Sequence, residues 1–210
     1  MSHFKEEKEI PNCLFSNSED TTIFSEYLMK TKKIKDFEIK MKMQLYTLTK
    51  DTFNGCNESN KKGRLLLASF DQFDILLEFW KQFNIDTFGN DPKLLGTDES
   101  YKMRIESFLK DDSIFLWKLI ETNEIVSMCV KTGYTPNGFR IGIVYTPLNH
   151  RKNGYGTSVT GNLCQKIFDD GGSYCCLFAD CVNPTSNKIY KSIGFQEKSL
   201  NEIHRFIHFE

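Results

Sequence analysis

The sequence has almost no net charge. Its 27 Lys and Arg stand against 28 Asp and Glu, for a formal charge of -1. A balance this even leaves no basic stripe of the kind that holds DNA or RNA, and no cationic face for an anionic membrane. No apolar run approaches the roughly 20 residues that a membrane span needs. The first residues, MSHFKEEKEIPN, carry acids and lack the apolar stretch of an export signal. No C-x-x-C occurs among the seven cysteines at 13, 56, 129, 164, 175, 176 and 181, so zinc and dithiol redox spacings are both missing. Reduced, mostly buried thiols in a cytoplasmic protein are expected. The four histidines, His3, His150, His204 and His208, do not pair at ligand spacing, and no metal is expected.

What is there reads as a soluble globular protein. Apolar residues make up 40% and charged residues 26% of 210, a composition that supports a packed core rather than disorder. The first sixty residues differ from the rest and are rich in Lys and Glu. Ile23, Phe24, Tyr27 and Leu28 fit one helix face. Phe37, Met41, Leu45 and Leu48 fit a second, at i, i+4, i+8 and i+11. Residues 1–60 are therefore expected to form a helical N-terminal extension. The polar stretch Asn54–Gly63 reads as a linker, and 61–210 as the main domain.

Within that domain the signals sharpen. Arg64–Ser69 is a short apolar strand, and Ser69 with Gln72 makes a capping-box pattern for the next helix. Thr97 opens another helix, with Asp98 and Glu99 where the dipole favours acids. Strands are expected at Ile114–Ile120, Ile125–Thr132 and Phe139–Thr146, with a hairpin signal at Asn137-Gly138. A helix starts near Asn153 and stops at Gly171-Gly172. Ser173–Val182 reads as a strand. Asn183-Pro184 caps the last helix, which Gly194 closes. Two final strands, Phe195–Lys198 and Ile203–Phe209, complete a β-α-α-β-β-β-α-β-α-β-β order. That order predicts a mixed sheet of the α/β (α+β) class with helices covering it.

Two motifs carry chemistry. Arg151-Lys152-Asn153-Gly154-Tyr155-Gly156 lies between a strand and a helix. Its glycines permit a tight turn, and the first N–H groups of the helix have no internal partner, which suits a phosphate. The glycines could equally serve only to shape the turn. The dinucleotide fingerprint is missing its third glycine, since Val159 stands there, and no Lys-Ser/Thr follows as in a P-loop. The second motif runs from Asn183 through Ser186 and Tyr190 to Gly194-Phe195. Taken singly, Asn183 is an N-cap, Tyr190 a core residue and Gly194 a helix terminator.

Taken together, R-x-x-G-x-G, a strand, then N-x-x-S-x-x-x-Y-x-x-x-G-F resembles the GNAT superfamily of N-acetyltransferases. The motifs cover residues 139–195, and the order of elements extends the likeness over about 63–210. The resemblance implies a GNAT-like fold that binds acetyl-CoA as cosubstrate. It implies that the backbone of Val144, Tyr145 and Thr146 pairs with the pantetheine amides. The N–H groups of Arg151, Lys152, Asn153, Gly154, Tyr155 and Gly156 would hold the pyrophosphate. Asn183 and Ser186 would lie on the pantetheine side, and Tyr190 would be the general acid at the sulfur. It also implies direct attack by an amine, with no covalent enzyme intermediate.

The sequence departs from the family where a general base is expected. Arg140 and Phe178 occupy the two usual acid positions, and the nearest substitute is Asp180, two residues on along the same strand face. An acid in a largely apolar strand is costly unless paired or functional. Its other reading is a brace for the helix that follows, and Glu121, Glu124 or a water chain could also take the proton. The leading expectation is an acetyltransferase for a primary amine of a small molecule. A protein or peptide acetyltransferase and a non-catalytic acyl-CoA-binding module are the alternatives, and a homodimer is compatible with each.

Overall fold

The computed structural model describes residues 10–55, 62–90 and 95–209. They form eight strands and five α-helices in a mixed α/β arrangement, and divide into two compact units.

The first unit comprises Met1–Tyr46, Phe178–Asn187 and Glu197–Glu210. It holds β1 (Cys13–Asn17), α1 (Ser18–Lys30), most of β2 (Asp36–Thr49) and most of β8 (Gln196–Ile207), with strand order β1-β8-β2. Asn17 caps α1 by accepting from the Asp20 amide at 2.9 Å, and α1 buries Leu28 against Ile34 and Phe206. A helical extension over residues 1–60 is thus corrected for the described residues 10–55, where the one α-helix stands between two strands. The segment expected as a second helix is β2. Phe37, Met41 and Leu45 fit helical spacing and an alternating strand equally well. Ile39 and Met43 complete the period-2 face, while Lys40, Lys42 and Gln44 fall between them. The two expected final strands are also one. Asn201 and Glu202 look like a polar break, yet both are buried within β8, where Asn201 pairs with Asn17 and Glu202 is bonded to His204. A satisfied polar group does not interrupt a strand.

The second unit comprises Thr47–Leu177 and Lys188–Gln196. Its strands are β3 (Gly63–Leu67), β4 (Ile114–Leu119), β5 (Ile125–Thr135), β6 (Gly138–Tyr145) and the start of β7 (Tyr174–Asp180), in the order β7-β6-β5-β4-β3. All neighbours are antiparallel except β6 and β7. Helices α2 (Phe73–Phe88) and α3 (Asp98–Lys110) bury Leu76, Trp80 and Ile105 against Ile114, Leu116, Met128 and Val130. The other parity of β5 serves α4 (Tyr155–Asp169), where Cys129, Val159 and Thr160 are all fully buried. The Ser69–Gln72 capping box forms and leads α2 through one 3-10 turn. Thr97 caps α3 as expected. The β5–β6 hairpin turns at Pro136-Asn137, one residue earlier than expected, so Gly138 already pairs with Thr135. The expected linker lies mostly outside the described residues, as does Cys56. Asn54 is described, and its amide donates to the Ile193 carbonyl at the end of α5 (Pro184–Ile193).

Candidate acyl-CoA site

The first component of the site is an open strand edge. The parallel β6–β7 ladder runs from Gly138↔Tyr174 to Ile141↔Leu177, while β6 itself continues to Tyr145. On its other edge β6 carries a bulge. Met128 faces Tyr145 and Val130 faces Gly142, so three steps on β6 match two on β5. The extra residue is Ile143, whose φ of 51° puts a β-branched side chain in the left-handed region. Such a conformation costs on the order of 1–3 kcal/mol and is kept where the surroundings impose it. It re-aims the backbone of Val144 and Tyr145 at the end of the ladder.

Tyr145 and Thr146 are fixed from behind. Ser127, fully buried in β5, donates to the Tyr145 carbonyl at 2.8 Å and lies 2.9 Å from the Thr146 hydroxyl. Tyr145 is 6% exposed and packs on Phe79 of α2. Burial pushes its phenol pKa up, the Asp86 carboxylate adds to that, and Arg151 opposes it. The ring therefore stays a neutral phenol at physiological pH.

The second component is the turn into α4. Pro147 leads a 3-10 turn at Leu148–His150, and Lys152 (φ 66°) and Gly154 (φ 78°) both take left-handed backbone before the helix begins at Tyr155. Gly154 occupies the N-cap position without a side chain to offer. The amides of Tyr155, Gly156 and Thr157 are first-turn donors that no α-helix can satisfy internally. Their positive end of the helix dipole suits an anion. Of the six residues expected to form the cradle, Arg151 is engaged elsewhere. Its amide donates to Leu148 at 3.3 Å, its Nε donates to the Thr146 carbonyl at 3.0 Å, and its guanidinium pairs with Asp86. Asn153 braces the turn by donating to the carbonyls of His150 and Arg151. His150 pairs with Glu124 at 3.0 Å, which takes up one of the alternative acids.

Tyr190 belongs to the same unit as β6 and α4. It is 8% exposed and meets Phe195 edge-on. Its neighbour Ile189 reaches the first turn of α4, where a Cβ added to Gly156 would stand 3.4 Å from the Ile189 Cδ1. Helix α5 thus packs against the turn.

Asp180, Asn183 and Ser186 belong to the first unit. Asn183 caps α5 by accepting from the Ser186 amide at 3.1 Å. The Asp180 carboxylate accepts from the Val182 amide at 3.1 Å, and its carbonyl accepts from the Asn183 amide and from Nδ2 of Asn187. Asn187 also bonds the Asn183 carbonyl and accepts from the buried Tyr46 hydroxyl at 2.8 Å. Sequence reasoning missed Ser127, Asp86, Ile143 and Asn187. Ser127 left a trace as the one hydroxyl in the apolar run Ile125–Val130. Asp86 left a fainter one, as an acid in the last turn of a helix. Nothing marks Ile143 as a bulge. Among the described residues, no group of His, Cys, Asp or Glu could hold a metal ion, and no helix is long and apolar enough to cross a membrane.

The FR47-like protein family matches residues 117–204, which run from β4 into β8. No curated protein matches the sequence. Among solved structures, a GCN5-related N-acetyltransferase from Sphaerobacter thermophilus is 16% identical with a TM-score of 0.67, over 94% of this chain and 60% of that one. One from Kribbella flavida is 14% identical with a TM-score of 0.63, over 92% and 67%. A predicted acetyltransferase from Clostridium acetobutylicum, solved with acetyl-CoA, is 21% identical with a TM-score of 0.52, over 65% and 91%. The chain thus spans 60% of the length of the Sphaerobacter protein. The fold is the one these GCN5-related N-acetyltransferases have, and it is the fold that the resemblance implied.

Proposed function

We propose that this GNAT-fold chain is an acetyl-CoA-dependent N-acetyltransferase acting on a primary amine of a small molecule. The observation that carries the reading is the end of the β6–β7 ladder at Ile141, with β6 running on to Tyr145 beside a bulge at Ile143. Backbone groups on such an edge are free to pair with an extended ligand. The amides of Val144, Tyr145 and Thr146 suit the pantetheine arm. Lys152, Asn153, Gly154, Tyr155 and Gly156 suit the pyrophosphate, with Arg151 shaping the turn.

In this reading the amine attacks the thioester carbonyl. A C–N bond forms, and the C–S bond breaks. A backbone N–H of β6 near Val144 holds the developing oxyanion. Tyr190 supplies the proton to the departing thiolate. The amine's proton goes to Asp180, directly or through water. Asn183 and Ser186 serve the pantetheine side, as the resemblance implies. The carboxylate of Asp180 already accepts from the Val182 amide, and that contact favours the non-catalytic acyl-CoA-binding module as the second reading.

Thiol release from acetyl-CoA, followed with panels of small amines and of peptides, tests the reading. Turnover with small primary amines supports it. Transfer confined to peptides supports a protein acetyltransferase, binding without transfer supports the module, and no binding overturns all three. Tyr190→Phe should keep acetyl-CoA affinity and lower turnover by roughly 10²–10⁴-fold. Equal turnover would leave Tyr190 a packing residue.

A further inference from the structure

We propose that Asp86 is a positioning residue for the acyl-CoA site, holding Arg151 against the Thr146 carbonyl so that the strand end and the α4 turn keep one geometry. The inference rests on the reading of β6 and α4 as the acyl-CoA site.

Asp86 lies in the last turn of α2, where the helix dipole disfavours an acid and where no basic residue stands in the same turn. Its carboxylate pairs instead with the Arg151 guanidinium, 65 residues along the chain. Both side chains are about 40% exposed, so the pair contributes little to global stability. What it fixes is local. Held by Asp86, Arg151 donates Nε to the Thr146 carbonyl at 3.0 Å, and its guanidinium sits 5.9 Å over the Tyr145 ring. Ser127 of β5 in turn ties the Tyr145 carbonyl and the Thr146 hydroxyl. Consecutive carbonyls at the open end of β6 are therefore held by two separate side-chain donors, and Arg151 links that end to the turn that opens α4.

The consequence for Arg151 is specific. Its charge is matched by Asp86 at Nη2 and its Nε is occupied by the Thr146 carbonyl, so it acts on the ligand through the backbone. A phosphate then meets the first-turn amides of α4 and Lys152. The two roles for Arg151 differ in the sign of one substitution. If Arg151 positions, removing Asp86 loosens the site and weakens acetyl-CoA. If Arg151 binds phosphate directly, removing Asp86 frees its charge and tightens acetyl-CoA.

The experiment is calorimetric titration of acetyl-CoA into wild type, Asp86→Ala, Asp86→Glu, Arg151→Ala and the Asp86→Ala/Arg151→Ala pair, at two salt concentrations. Each alanine variant should bind about 10-fold more weakly, because a site held loosely loses preorganisation. The double variant should bind no more weakly than Arg151→Ala alone. Asp86→Glu should recover most of the affinity, a rescue that loss of bulk alone would not give. Melting temperatures should stay close to wild type, and Asp86→Asn replaces Asp86→Ala if that variant does not fold. Unchanged or tighter binding by Asp86→Ala overturns the proposal, as does additivity in the double variant. A flatter salt dependence in Arg151→Ala also overturns it, since that marks a direct phosphate contact. If wild type itself does not bind acetyl-CoA, the reading of the site falls and this inference with it. If wild type binds and the variants match it, only this inference falls.

Discussion

The Ser127 hydroxyl donates to the Tyr145 carbonyl at 2.8 Å, from a side chain with no exposure to solvent. This bond joins β5 to β6 beside the bulge, where regular pairing is interrupted. Ser127→Ala removes the donor and leaves a buried carbonyl without its partner. A loss of about 1–3 kcal/mol in unfolding free energy is expected. Urea titration of the two proteins measures it. A difference within about 0.5 kcal/mol would mean that the strand end relaxes to find another donor.

The two motif glycines should behave differently. Gly154 has a φ of 78°, so Gly154→Ala should cost about 1 kcal/mol, and Gly154→Val more, because a branched side chain tolerates that region poorly. Gly156 lies inside α4, and a Cβ there meets Ile189 and Thr146 at 3.4 and 3.6 Å, ordinary packing distances. Gly156→Ala should therefore leave the melting temperature unchanged or slightly raised. At acetyl-CoA near 100 times its dissociation constant, wild type should gain about 2.7 kcal/mol. A Gly156→Ala protein that keeps its fold and loses this gain locates the ligand at the first turn of α4. Equal gains in the two proteins would leave Gly156 as a packing glycine.

Much of the chain after residue 62 was legible because its signals are local. The Ser69–Gln72 box, the Thr97 and Asn183 caps and the Gly194 terminator each need only a few neighbouring residues, and each forms. The segment 37–48 was misread because Phe37, Met41 and Leu45 satisfy both periods at once. Only the strand pairing decides between them. Residues 199–202 were misread for a different reason. Asn201 is buried beside its strand partner Asn17, and Glu202 meets Lys42; both of these come from distant segments, and no spacing rule sees that. The site divides in the same way. Glycines and caps announce the turn into α4, while Asp86 and Ser127 act across 65 and 18 residues and are visible only in the folded chain.

Glu202 offers a pH test in the first unit. It is 3% exposed, and burial alone would raise its pKa. Bonds from His204, Lys42 and Ser18 together outweigh burial, so the folded value lies below the ordinary 4.5. A depressed folded pKa contributes stability that is fully present above the unfolded value and is lost as pH falls through the folded one. Glu202→Gln should cost about 1–3 kcal/mol near neutral pH, since the charged acceptor is lost from a buried network. That gap should hold down to about pH 4.5 and shrink below it. Unfolding free energies of both proteins across this range measure the gap. A gap independent of pH would mean that shape rather than charge sets the contribution of Glu202.

Asp180→Asn separates a brace from a base. The carboxylate accepts from the Val182 amide at 3.1 Å, and the residue's carbonyl accepts from the Asn183 amide and Asn187. Asparagine keeps an oxygen for Val182 and leaves the backbone bonds intact, so stability should change by less than about 1 kcal/mol. What asparagine cannot do is take a proton from the amine. If Asp180 is the acceptor in the proposed reaction, kcat/KM of the variant should fall most at low pH, where little of the amine is free. It should recover partly as pH rises and the amine deprotonates in solution. If Asp180 only closes the turn into α5, the two pH profiles should run parallel, because the turn is preserved. The measurement is kcat/KM against pH for both proteins with one accepted amine, alongside their melting temperatures. Parallel profiles at equal stability would assign Asp180 to the turn alone and move the search for the base to Glu121, Glu124 or a water chain.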